Sequence, residues 1–108
     1  MLQDTVAALH GVANELASKP GAAIDINAAH TYVVAIDEYQ HGLDVLPPAR
    51  LQSLDSKAVE AAQHAVKARS LVQQGNWGDA LESVFSAIGA LPGEPGLWPR
   101  KVPRPTRP

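Results

Sequence analysis

The stretch Gly75-Asn76-Trp77-Gly78-Asp79-Ala80-Leu81-Glu82-Ser83-Val84-Phe85-Ser86-Ala87-Ile88-Gly89-Ala90-Leu91-Pro92-Gly93 decides the fold class. Between a turn signal at Gly75-Asn76 and a stop at Pro92-Gly93, apolar residues recur at three- and four-residue intervals: Trp77, Leu81, Val84, Phe85, Ile88 and Leu91. That period predicts a helix over 77–91 with one apolar face. Gly78, Asp79, Glu82, Ser83, Ser86 and Gly89 fall on the other side. Pro92 ends the helix because it has no amide hydrogen to donate and its ring collides with the preceding turn.

Upstream, a segment carries Leu51 and Leu54, then Ala58, Ala61, Ala62, Ala65, Val66 and Val72. Ser53 and Asp55 are candidates to cap a restart, so this segment reads as one helix or two. Its inward face is built from alanines, which lets a neighbouring helix come close. Before it, a helix from a cap at Asn27 to about residue 45 or 46 presents Tyr32, Val33, Ile36, Tyr39, Leu43 and Leu46, and Pro47-Pro48 stops it. The first helix spans 2–18, with Leu2, Thr5, Val6, Leu9, Val12, Ala13 and Leu16 on one face and Lys19-Pro20-Gly21 as its end. No segment alternates with the strand period. The expected fold is all-α: a bundle of four helices, five if the third divides, or two stacked antiparallel helical hairpins.

The helical domain is assigned to 1–91 and an irregular, flexible tail to 92–108. Six of the tail's 17 residues are proline, which favours extended or polyproline II conformations. Residues 1–91 hold ten acids against five bases, whereas the tail holds Arg100, Lys101, Arg104 and Arg107 against Glu94 alone. An acidic body with a basic end is the clearest asymmetry of the chain. With 108 residues, much alanine and a single phenylalanine, the core is thin, and a homodimer sharing a core across its interface is expected. The absence of cysteine removes disulfides, thiolate metal sites and cysteine nucleophiles. No leader-like start and no apolar run of membrane-spanning length is present, so the cytoplasm is the default compartment.

Ala68, Gly75, Trp77, Ala80, Ala87 and Pro92 stand in the order and spacing of a tetratricopeptide-type helical hairpin. The chain resembles that family over about 61–94, roughly one repeat. Small residues sit where two antiparallel helices touch, a glycine in the turn, an aromatic after it, and a proline closing the second helix. The sequence departs from the pattern at His64 and Lys67, where the family prefers large apolar residues, and at Val84, which replaces an aromatic. A fainter echo lies 45 residues earlier, where Tyr32, Ala35, Leu46 and Pro47 align with Trp77, Ala80, Leu91 and Pro92. The resemblance implies a protein-binding role.

Catalytic signatures are missing from the sequence. Glu38 and His41 have the Glu-x-x-His spacing of di-metal bundles, but only one such pair exists, and it projects opposite the stripe of Tyr32, Ile36 and Leu43. Glu60 and His64 are spaced i,i+4 instead. Glu15 and Glu82 fall away from the centres of their apolar faces, and His10, His30, His41 and His64 form no ligand pattern. No serine sits in an elbow or Ser-x-x-Lys motif, and no phosphate loop occurs. No catalytic residue, cofactor or metal is therefore assigned.

The leading reading is a small non-catalytic adaptor that binds another protein, with Trp98, Arg100, Lys101, Arg104 and Arg107 as partner-contacting residues. Pro105-Thr106-Arg107-Pro108 adds a bare Pro-x-x-Pro. The alternative is a nucleic-acid-associated accessory protein that uses the tail's four bases on phosphates. A ligand- or metal-binding helical bundle is the second alternative.

Overall fold

The computed structural model describes residues 1–19, 24–93 and 102–105, and these form five α-helices without a strand. They are α1 Leu2–Ala17, α2 Ile26–Asp44, α3 Pro48–Asp55, α4 Val59–Gln73 and α5 Trp77–Ala90. The fold is all-α, with α4 and α5 in the most extensive contact, α1 against α2, and α1 touching both members of the other pair. The expected tail residues Trp98, Arg100, Lys101 and Arg107 lie outside the described residues.

Helix α1 buries Leu2, Thr5, Val6, Leu9, Val12, Ala13 and Leu16, the face its periodicity predicts. Helix α2 differs at its start. The cap is Asp25 rather than Asn27: its carboxylate accepts the Ala28 amide at 3.0 Å. Asn27 lies inside the first turn, where its carbonyl accepts the Thr31 hydroxyl. Ile24, just before the cap, and Ala29 are both buried in the core, the arrangement of a hydrophobic staple. At the other end Pro47-Pro48 stops α2 and at once starts α3, with Pro48 at the first helical position, where a missing amide costs nothing.

The third segment divides into α3 and α4, and neither Ser53 nor Asp55 caps the restart. The N-cap of α4 is Ala58, with no side-chain bond. Asp55 is engaged elsewhere. Its carboxylate accepts the Leu2 amide and lies 3.0 Å from the Met1 amine, so α3 holds the first turn of α1.

Between α4 and α5 the backbone reverses in a Schellman turn. The Asn76 amide donates to the Leu71 carbonyl at 2.9 Å, and the Gly75 amide to that of Val72 at 3.0 Å. Gly75 sits at φ 76°, a left-handed conformation that costs a residue with a Cβ about 1–2 kcal/mol. Asn76 then precedes α5, and its side-chain amide donates to Asp79 at 2.8 Å.

Ten of the 26 buried apolar side chains among the described residues are alanines, so this core depends on closeness of backbones more than on large side chains. On α4 the buried stripe is Ala61, Ala65, Ala68 and Val72. Val66, expected to face inward, is 71% exposed because it lies on the opposite flank from Ala61 and Ala68. Helix α5 buries two neighbouring stripes: a small one of Ala80, Ser83 and Ala87, and a large one of Leu81, Val84 and Ile88. Ser83, assigned from sequence to the outer side, is buried because a hydroxymethyl group is small enough for the alanine stripe. Trp77 and Phe85 are only half-buried at the core's edge.

Replacing Gly75 by Ala should destabilise the fold by about 1–2 kcal/mol in chemical denaturation. The added methyl meets no atom within 4 Å, so the cost is the backbone conformation alone. The Leu2 amide, followed by the Met1 amine, holds the Asp55 carboxyl below its ordinary 3.8. Its stabilisation is present above that value and disappears as pH falls through the lower folded value. The gap in melting temperature between the native chain and Asp55→Asn should therefore be widest at neutral pH and close in acid.

Candidate functional site

Two surfaces of the helical body stand out, and a third region gathers polar groups. The first lies on α2 and α5. Tyr32 and Phe85 stand 6.1 Å apart between ring centroids, with their planes tilted by 34°. Across them runs the described part of the tail, residues 102–105. The Tyr32 hydroxyl donates to the Pro103 carbonyl at 2.6 Å. The Arg104 guanidinium lies over the Phe85 ring, 5.8 Å from its centroid, in cation–π geometry. Val102 packs against the core. About two turns further along α2, the buried Tyr39 hydroxyl donates to the Pro92 carbonyl. Both tyrosines thus send their one polar group to a carbonyl of the segment after α5.

Electrostatics at this face follow from burial. The Tyr32 phenol is held well above the ordinary tyrosine range, chiefly by desolvation and then by the Asp25 carboxylate. Arg104 opposes this shift, and Glu82 adds to it. Burial alone pushes Tyr39 up to about 12. Of the five residues expected to contact a partner, Arg104 is the one described, and it contacts the chain's own body.

The second surface lies between α1 and α4. A groove of about 430 Å³ is lined by Met1, Asp4, Thr5, Ala8, Ala62, Ala65, Val66 and Arg69, and most of its wall is apolar. Val59, Ala62, Val66 and Arg69 share one flank of α4 by helical spacing. Met1 is 49% exposed and Val59 is 52% exposed, so with Val66 they form an apolar strip open to water. Sequence reading missed this strip because it took Val66 as core. The signal was available: α4 carries two apolar stripes, 61-65-68-72 and 59-62-66, and one helix face cannot accommodate both.

The third region is a depression of about 330 Å³ between α4 and α5, lined by His64, Lys67, Leu71, Asp79, Glu82, Ser83 and Ser86. The His64 imidazole approaches Glu60 at 4.0 Å. On α1 and α2, Asp37 lies between two imidazoles, His10 at 4.0 Å and His41 at 3.9 Å. These are loose surface pairs. Glu15, Glu38 and Glu60 are exposed on separate helices and do not converge. No group of three or more metal-ligating side chains comes together among the described residues. Among those residues, too, no helix is long and apolar enough to cross a membrane.

No protein-family model matches the chain, and no curated protein or solved structure shows significant similarity to it.

The two tyrosines provide a direct probe of the tail-facing side. The folded chain keeps phenol protons that the unfolded chain releases near pH 10, so stability is full below that pH and falls as pH climbs towards 12. Tyrosinate absorbance should stay flat through pH 10 and rise together with loss of helical circular dichroism. Ionisation of either tyrosine near pH 10 in a chain that is still fully helical would contradict the burial described.

Proposed function

We propose that this chain is a small, non-catalytic helical interaction module whose body docks, through the α1–α4 face, onto a second copy of itself. The observation that supports it is the second apolar stripe of α4. Val59 and Val66 face water beside a groove lined by Ala8, Ala62 and Ala65. Large apolar side chains gathered on one exposed strip mark an interaction surface more often than scattered ones do.

A second copy fits this face for two reasons. The groove carries one acid on α1, Asp4, and one base on α4, Arg69. Two copies related by a two-fold axis through the strip would each bring one acid and one base to it, the charge self-complementarity that an isologous interface uses. The alanine-rich core also buries little area per side chain, so shared apolar surface adds stability that the single chain lacks. The likeness of 61–94 to a tetratricopeptide-type hairpin supports the same reading, because such hairpins bury a continuous core only when stacked on neighbours. Of the four bases on which the tail-based nucleic-acid reading rests, Arg104 is held on Phe85, and Arg100, Lys101 and Arg107 lie outside the described residues.

Sedimentation equilibrium tests the proposal. The native chain should move with concentration towards twice its 11.4 kDa, while Val66→Glu, which alters an exposed residue, stays at 11.4 kDa with unchanged helicity. Arg69→Glu should weaken association, and adding Asp4→Lys should restore it. A native chain that remains at 11.4 kDa at the highest concentration reached would overturn the reading.

A further inference from the structure

The Tyr32–Phe85 face of α2 and α5 is covered by residues 102–105 of the chain itself. Residues 102–105 belong to no helix, and prolines 103 and 105 each fix φ near −65°. Their exposure has a three-residue rhythm: Val102 and Pro105 are half-buried, while Pro103 and Arg104 between them are exposed. That is the pattern of a polyproline II segment, with three residues per turn, lying with one edge on a surface.

The body supplies the elements that recognise such a segment. The Tyr32 hydroxyl donates to a main-chain carbonyl, that of Pro103, which carries no side-chain information but fixes the register. The Phe85 ring takes the guanidinium that follows. The Asp25 and Glu82 carboxylates and the Arg104 guanidinium each act electrostatically on the Tyr32 phenol, so both signs of charge stand around this ring. The core edge between the helices takes the apolar residue before the proline. Aromatic floors that bind extended proline segments recur in protein recognition because the segment loses little conformational entropy on docking.

We propose that the Tyr32–Phe85 face of α2 and α5 is a recognition site for segments of the form apolar-Pro-Arg-Pro, that residues 102–105 occupy it in cis, and that a proline-rich, arginine-bearing segment of a partner protein exchanges with them. The site is separate from the α1–α4 face, so either proposal stands if the other falls. The cis segment competes at the high effective concentration of a tethered ligand, which sets a threshold that a partner must exceed.

The test uses the full chain and a fluorescent peptide with the sequence of residues 101–108. Arg104→Glu replaces the cation over the Phe85 ring with an anion that the ring face repels, and so weakens the cis contact without altering the body. Fluorescence anisotropy should show this variant binding the peptide about ten-fold or more tightly than the native chain does, because the tethered competitor is weakened. Adding Phe85→Leu, which keeps apolar bulk but removes the aromatic face, should abolish that gain while circular dichroism stays helical. A peptide with both central prolines changed to alanine but the same charge should bind at least about ten-fold more weakly if backbone pre-organisation matters. Equal affinity of native and Arg104→Glu chains for the peptide would overturn the proposal. So would equal binding of the alanine peptide, which would reduce the contact to charge alone.

Discussion

The close packing of α4 on α5 is the constraint on which the rest of the molecule depends. The buried side chains it works with are nearly absent: Ala61 and Ala68 on one helix, Ala80, Ser83 and Ala87 on the other. Dispersion forces fall steeply with distance, so a contact of this type is strong only where backbones meet without a gap. The Schellman turn at Gly75 brings the two helices into that approach, and it needs a residue with free access to positive φ. Once the pair is formed, Leu81, Val84 and Ile88 present a larger apolar stripe next to the small one. Helices α1 and α2 then bring the bulk this pair lacks, with Leu2, Leu9, Leu16, Tyr32, Ile36, Tyr39 and Leu43 among the most deeply buried side chains.

That bulk includes two hydroxyl groups, and they tie the segment after α5 to the body. A buried phenol without a partner costs about 1–3 kcal/mol. Tyr39 finds Pro92 and Tyr32 finds Pro103, two carbonyls from residues that cannot belong to a helix interior. Proline is a suitable neighbour for this purpose. It has no amide to satisfy, so a proline-rich segment offers carbonyls to the body while leaving few donors of its own in need of partners. The core's polar requirements and the tail's composition therefore meet each other.

Much of the architecture was legible because it is periodic. The seven buried positions of α1 follow directly from spacing, and Gly75 and Pro92 mark both ends of α5 without ambiguity. Less was legible where two local choices were of similar merit. Asp25 and Asn27 are both good caps, and Ile24, which is buried only in the folded chain, decides between them. Periodicity also failed on α4, since an alanine-rich helix has several nearly equal apolar faces and the buried one is chosen by the partner helix. The tail contact was least accessible. Tyr32 and Pro103 are 71 residues apart, and no local pattern in either stretch announces the other. Arg104 was singled out for its charge, but the ring it rests on was assigned to the core, so the pairing went unread.

The smoothness of the alanine stripes also has a mechanical side. Large interlocking side chains act as teeth that resist sliding of one helix along another, whereas a row of methyl groups presents a low, even track. Resistance to longitudinal slip in the α4–α5 pair then falls chiefly on its closed end, the hydrogen-bonded reversal at Gly75. At the open end the bond from Tyr39 to Pro92 ties α5 to α2 rather than to α4. A load applied along the helix axes would be carried at the turn rather than shared along the interface.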